Sequence, residues 1–481
     1  MNEKKGSNMK KTFLLLPLIV AMTLSGCVNL APDNGTPQAP TPSVWPQGEA
    51  YGQLPKASEA LPQWKAVFTD EKLRQVIELG LANNRNLQTA ALNVEKARAQ
   101  YGVARSALFP SINATAADAV QHTAGTVNRL GEGATARTYT AQLAMASYEL
   151  DFFGRVRNLN EAALQSYLAT EDAHRTVQGT LIAEIAMAWH RLGADREQLK
   201  LQRSLLQSQE ESFKLMQASY NLGAISQLDL EQARTTVEAA RAAIVSYVRA
   251  VAQDKNALDL LCGTTVDEGL LPEGLPLNAM VSSLPVGLPG EVLLKRPDIM
   301  AAERGLRAAD ANIGVARAAF FPRVTLMGGV GTAGLHLDDL FDAHSGMWTF
   351  TPSISLPIFN GGLNRSNLEV AQANQKIAVA TYEQSIQTAF KEVSDALAVT
   401  GTVDKELAAR QAYTAAADNT YRLSDASYKA GAVSYSDLLV AQRAMVAAHQ
   451  TLINTQLSKI SGEITLYKAL GGGTDLITEV K

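Results

Sequence analysis

Two aspartates recur in matching surroundings. Ala218-Ser-Tyr-Asn-Leu-Gly-Ala-Ile-Ser-Gln-Leu-Asp-Leu230 returns as Ala426-Ser-Tyr-Lys-Ala-Gly-Ala-Val-Ser-Tyr-Ser-Asp-Leu438, an offset of 208 residues. Asp229 and Asp437 therefore hold equivalent places, six residues after Gly223 and Gly431. One chemistry open to them is local: an aspartate near a helix start caps it and suits its dipole. The other is collective: carboxylates gathered in a narrow bore attract cations, repel anions and raise one another's pKa. Reactive constellations do not emerge. Gly329-Val-Gly-Thr-Ala-Gly334 fits the dinucleotide fingerprint, but no amphipathic helix follows and no βαβ pattern surrounds it, so it reads as a glycine-rich strand end and loop. The six histidines are scattered, without ligand spacing, and no Gly-x-Ser-x-Gly occurs. The sequence points to no enzyme, no metal site and no cofactor.

The remaining reactive group is a thiol. Lys10-Lys11, an apolar run over residues 12–23 and Leu24-Ser-Gly-Cys27 read as a secretory signal. The ending resembles a bacterial lipobox, which implies cleavage before Cys27 and a covalent lipid on that residue. The apolar run is shorter than the roughly 20 residues of a membrane-spanning helix. Val28 is not an acid, which the resemblance reads as sorting to the outer membrane. Residues 1–26 hold four Lys and one Glu, so their removal takes the formal charge from −4 to −7. No basic patch favours nucleic acid. Cys262, the second of two cysteines, is left without a partner and reads as a small buried apolar residue.

These residues sit in a duplicated chain. Gly102-Val-Ala-Arg-Ser-Ala-Leu-Phe-Pro110 returns as Gly314-Val-Ala-Arg-Ala-Ala-Phe-Phe-Pro322, an offset of 212, in the same order as the first match. Each repeat reads as a helix ended by proline, two strands, a long helix, a glycine turn and a returning helix. Strands are expected at about 111–121, 138–150, 323–332 and 347–358. In the last, Trp348, Phe350, Ile354, Leu356 and Ile358 alternate with Thr349, Thr351, Ser353 and Ser355, the pattern of a barrel strand with lipid on one side. Long helices are expected at about 155–221, 227–261, 364–429 and 435–470. The two longer ones lack proline and could each run roughly 100 Å at 1.5 Å per residue.

The resulting division is a signal peptide at 1–26, a lipid-anchored extended linker at 27–62, a first repeat at 63–261, an equatorial connector at 262–295, a second repeat at 296–473 and a tail at 474–481. The linker takes seven of the 17 prolines. Four strands cannot close a barrel, since bacterial ones have eight or more. Open edges in lipid cost several kcal/mol per unpaired group. Strands that enter the membrane must therefore be pooled among chains.

Trp64-Lys-Ala-Val-Phe68, Glu149-Leu-Asp-Phe-Phe-Gly-Arg155, Leu294-Lys-Arg-Pro-Asp-Ile299, Gly314-Val-Ala-Arg-Ala-Ala-Phe-Phe-Pro322 and Leu466-Tyr-Lys-Ala-Leu-Gly-Gly-Gly473 resemble motifs of the outer-membrane factors of tripartite efflux systems. The resemblance runs from Cys27 to Gly473 and favours the lipoprotein (OprM-like) branch over the TolC-like one. It implies an α+β fold: a homotrimer with a 12-stranded β-barrel, four strands per chain, continuous with a 12-helix periplasmic α-barrel and a mixed equatorial domain.

It also implies roles for the helix-turn-helix tips. Asp229 and Tyr428 fall where an inter-helix hydrogen bond holds the closed periplasmic gate, with Tyr220, Ser436 and Val440 beside them. Asp437 falls where an acidic ring narrows the bore. Val440 and Val433 stand where the family carries charges, so closure here leans more on packing. Gly223, Ala224, Gly431 and Ala432 match the positions that meet a periplasmic adaptor, and a left-handed helix cap is the plainer reading of the same residues.

The implied function is a passive exit duct, set in outer-membrane lipid, for drugs delivered by a resistance-nodulation-division transporter of the inner membrane through that adaptor. Metal-ion efflux, type I protein secretion and a non-channel periplasmic helical lipoprotein are the alternatives.

Overall fold

The structure is a computed structural model that describes residues 28–51, 61–127, 131–278, 280 and 284–474. The leader, Cys27 and the end of the tail lie outside the described residues. In chain order the elements are α1 (Trp64–Val67), α2 (Glu71–Asn83), α3 (Arg85–Ser106), β1 (Ile112–Thr123), β2 (Ala134–Leu150), α4 (Arg155–Asn221), α5 (Gln227–Cys262), α6 (Pro289–Val292), α7 (Pro297–Ala318), β3 (Arg323–Gly334), β4 (Gly346–Ser355), α8 (Leu363–Lys429) and α9 (Tyr435–Ala469). Among the described residues no helix is long and apolar enough to cross a membrane.

Two compact units result, and they cut across the repeats. Among the described residues, one comprises those within 28–37, 95–170 and 302–382; the other comprises those within 38–94, 171–301 and 383–474. The first holds the four-stranded antiparallel sheet, ordered β1-β2-β3-β4. Its pairings place Val324, Leu326 and Val330 of β3 level with Ile354, Pro352 and Trp348 of β4. Leu143 and Met145 of β2 lie opposite Val330 and Gly328, and Ile112 opposite Met145. Because side chains alternate, these residues share one apolar face. Thr115, Thr140, Gln142, Thr325, Thr349, Thr351 and Ser353 share the other. A bulge between Met145 and Tyr148 inserts one extra residue, which keeps Tyr148 and Leu150 on the apolar face opposite Leu326 and Val324. That face is bare: Trp348 is 78% exposed and Ile354 72%.

The last strand is shorter than its alternation suggests. It stops at Ser355, paired with Arg323, so Leu356 and Ile358 of the expected 347–358 lie beyond it. Pro357 has no N–H to offer the ladder, and Pro322 precedes the partner strand. The glycine run at residues 329–334 belongs to β3. A side chain at Gly331 would collide with the Ala141 carbonyl and Gln142 of the neighbouring strand, so close strand approach explains the run.

The linker also departs from a free tether. Residues 28–51 form no helix or strand, yet they are docked. In the first unit the Val28 N–H donates to the Phe152 carbonyl at 3.1 Å and Arg317 to the Leu30 carbonyl at 3.0 Å. In the second, buried Trp45 donates from Nε1 to the Gly287 carbonyl at 2.8 Å and stacks on Phe390. One buried indole outweighs the proline-rich composition around it.

Burial in the second unit explains the motifs around Phe68, Arg296 and Tyr467. Arg296 forks onto Asp298, reaches Glu392 at 2.8 Å and donates to the Ala469 carbonyl at 2.7 Å, tying α7, α8 and α9 together. Tyr467 donates to the Pro62 carbonyl, accepts from the Gly473 N–H and meets Phe68 edge-on. Phe68 and Met280 form an isolated antiparallel bridge. Cys262 is fully buried, its thiol donating weakly to the Val76 carbonyl, and burial pushes its pKa up to about 12. In the first unit, the Glu149 to Arg155 motif is the elbow from β2 into α4. Arg155 forks onto Glu149, which also takes Arg323 at 2.6 Å, while Gly154 supplies a positive φ and Phe153 stacks on Phe321.

Candidate functional site

The site is the pair of helix tips in the second unit. Each long helix ends in the same way. Gly223 and Gly431 adopt φ of +72° and +74°, which glycine reaches at no steric cost. The Gly223 N–H donates to the Tyr220 carbonyl and the Ala224 N–H to Ser219; Gly431 and Ala432 repeat this with Tyr428 and Ser427. These bonds close the last turn in the manner of a left-handed helix cap. The expected docking residues Gly223, Ala224, Gly431 and Ala432 thus form two equivalent exposed tips, with Tyr220 giving the turn its carbonyl.

Each returning helix then opens with a capping box. Ser226 Oγ donates to Asp229 Oδ2 at 2.7 Å and accepts from the Asp229 N–H at 3.2 Å, and the Ser226 N–H also reaches Oδ2. Ser434 and Asp437 repeat all three bonds. Both aspartates are therefore helix caps, each using one carboxylate oxygen. Within one chain, Asp229 and Tyr428 make no hydrogen bond to each other among the described residues. The two remain close enough to interact: burial, with the charge of Asp229 adding to it, raises the Tyr428 pKa. A carboxylate in a capping box is fixed in place, and its second oxygen makes no bond within the chain among the described residues.

What joins the hairpins at the tips is mainly apolar, with the Tyr435 hydroxyl also reaching Thr236. Met216 of α4, Leu230 and Ala233 of α5, and Tyr435, Leu438 and Leu439 of α9 form one buried cluster, with Phe213, Ile225, Tyr421 and Tyr428 against it. The Tyr435 ring lies 5.5 Å from that of Tyr428. Tyr435 is a site residue that sequence reasoning does not single out. Its signal is the duplication: Gln227 holds the equivalent place, so only the second repeat inserts a ring. Ser436, Asp437 and Val440 lie on the exposed side of α9, with Val440 64% exposed. Among the described residues, no cluster of three or more His, Cys, Asp or Glu could hold a metal ion.

A bare two-faced sheet joined in sequence to paired helical hairpins defines the class: an outer-membrane channel subunit. The model of the outer membrane efflux protein family matches residues 76–264 and 288–472, and the chain belongs to that family. It is 43% identical to the probable efflux pump outer membrane protein TtgC of Pseudomonas putida over 97% of this chain and 96% of that relative. With the cation efflux system protein CusC of Escherichia coli it shares 40% identity over 95% and 98% of the two chains. The open state of the Neisseria gonorrhoeae MtrE outer membrane channel superposes with a TM-score of 0.83, 36% identity and coverage of 93% and 98%. The protein is an outer-membrane efflux duct. This sets aside the non-channel periplasmic lipoprotein.

Proposed function

We propose that three copies of this chain pool their strands into a 12-stranded barrel and their helices into a 12-helix periplasmic tunnel, forming the exit duct of a tripartite drug efflux pump. A periplasmic adaptor meets the tips at Gly223-Ala224 and Gly431-Ala432. A proton-driven inner-membrane transporter of the resistance-nodulation-division type delivers the cargo, and the duct conducts it passively. The observation that carries this reading is the sheet: β1 and β4 are open edges, one face is apolar and exposed, and the other is lined with Thr, Ser and Gln. Lipid tolerates such a sheet only when its edges are closed. Cys27 carries the lipid anchor, and Asp437 supplies a ring of negative charge near the tunnel mouth.

Relatives named for toluene, antibiotic and cation efflux bracket the cargo. Deleting the gene and measuring susceptibility to toluene, antibiotics and metal cations distinguishes these, and loss of a secreted protein instead would favour type I secretion. The purified protein should run as a trimer in detergent; a monomer released without detergent would refute the reading.

A further inference from the structure

Far from the tips, each hairpin carries a pair of acids at one level. Asp195 of α4 precedes Gly223 by 28 residues and Asp254 of α5 follows it by 31. In the second repeat, Asp404 of α8 precedes Gly431 by 27 and Glu463 of α9 follows it by 32. The strict repeat counterparts are Val403 and Gly462, so each acid has shifted by one residue while the level of the pair is kept.

The first pair is the more enclosed. Asp254 is 7% exposed; its Oδ1 lies 3.2 Å from Arg191 Nε, and its Oδ2 is buried without a hydrogen-bond partner. Asp195, one helix across, is within hydrogen-bonding reach once a proton is present between the two carboxyls. Two carboxylates in contact cannot both stay charged cheaply, and an unpartnered buried oxygen makes the charged form costlier still. The other charged groups nearby are Arg191, already on Asp254, and Lys255, committed to Asp259 at 2.9 Å. Tyr247 also feels the charge of Asp195. In the second pair, Glu463 faces Asp404, and Lys459 bridges to Asp404, which softens the repulsion.

We infer that the Asp195–Asp254 pair is a proton-operated fastening: holding a shared proton, it ties its two helices together, and losing it, it drives them apart. The Asp404–Glu463 pair adds only a smaller charge repulsion at the same level, with Asp404 held by Lys459. Burial first, then Asp195, raises the Asp254 pKa to about 7. Burial, opposed by Lys459 and reinforced by Asp404, raises that of Glu463 to about 7. The sign follows. Between the ordinary carboxylate value of 3.8 and about 7 the folded chain holds a proton that the unfolded chain has lost, so stability falls as pH rises through that window. The fastening is complete in acid and released near neutrality.

The test is hydrogen exchange of the purified, detergent-solubilised assembly between pH 5 and 8, corrected for intrinsic rates, with melting curves over the same range. In the wild type, amides of α4 and α5 around residues 195 and 254 should lose up to roughly a hundredfold in protection, the equivalent of the two pH units between pH 5 and the raised pKa of about 7, and the melting temperature should fall. Asp254→Asn fixes the neutral form, so its exchange profile around residues 195 and 254 should be flat and match the wild type at pH 5, while its melting curve keeps only the smaller slope due to Glu463. Asp195→Asn removes the opposing charge and should lessen the slope without abolishing it, because the burial of Asp254 remains. Glu463→Gln should remove only a smaller share of the slope. Retention of the full wild-type slope by Asp254→Asn or by Asp195→Asn would overturn the inference.

Discussion

Tyr435→Ala isolates the packing that joins the two hairpins at their tips. The ring is 7% exposed and is flanked by Met216, Leu230, Ala233, Leu438 and Leu439 from three helices. Truncating a buried aromatic costs roughly 3–5 kcal/mol. A site close to the end of the bundle can collapse partly, so about 3 kcal/mol is the fitting figure. At 1.4 kcal/mol per tenfold, that raises the population of separated tips by about a hundredfold. Planar-bilayer recording should then show openings more frequent than in the wild type, and exchange should accelerate over residues 213–233 and 421–439. Tyr435→Phe keeps the ring, loses only the hydroxyl's contact with Thr236 and should fall far short of the alanine effect, while Val440→Ala on the exposed side should stay near wild type. If Tyr435→Ala matched wild type in both conductance and exchange, the tips would be held by contacts between chains and the packing account would fail.

Ile354→Arg, on the bare apolar face, should cost about 2–4 kcal/mol if it lies near the bilayer midplane, and it should reduce trimer yield on native gels. Ser353→Arg, on the opposite face, should assemble normally and change conductance; equal behaviour would refute the register. Ser226→Ala and Ser434→Ala each remove a helix cap and should cost about 1 kcal/mol, read as faster local exchange at the start of α5 or α9. Asp437→Ala should lower cation selectivity and block by polyvalent cations, whereas unchanged reversal potentials would leave Asp437 as a cap alone. Mass spectrometry should find a lipid-modified peptide beginning at Cys27, and Cys27→Ala should abolish the modification while the strands still insert.

The long helices were legible because proline-free runs between Gly-Ala tips leave few alternatives, and α4 and α8 begin and end within a residue of their expected bounds. The end of β4 was not legible: apolar-polar alternation continues through Pro357, but the hydrogen-bond ladder does not, and only pairing reveals which of the two rules stops the strand. The linker misleads for a similar reason. Its proline-rich composition describes an extended tether, and nothing local announces that Trp45 finds a carbonyl at Gly287, 242 residues away. At the tips, Ser226-x-x-Asp229 and Ser434-x-x-Asp437 are themselves capping-box patterns, so the capping geometry is written in the sequence. Tyr435 is harder, because its importance depends on which helix of the other repeat it meets.

The two open edges of the sheet carry a genetic consequence. Each chain presents β1 to one neighbour and β4 to the other in a shared barrel, so a lesion confined to one edge spoils every assembly that it enters. When mutant and normal chains are made in equal amounts and combine at random in threes, only about one duct in eight contains normal chains alone. A variant such as Ile354→Arg that still associates would then be dominant, sensitising cells that retain an intact copy, whereas a variant that cannot associate at all would be recessive.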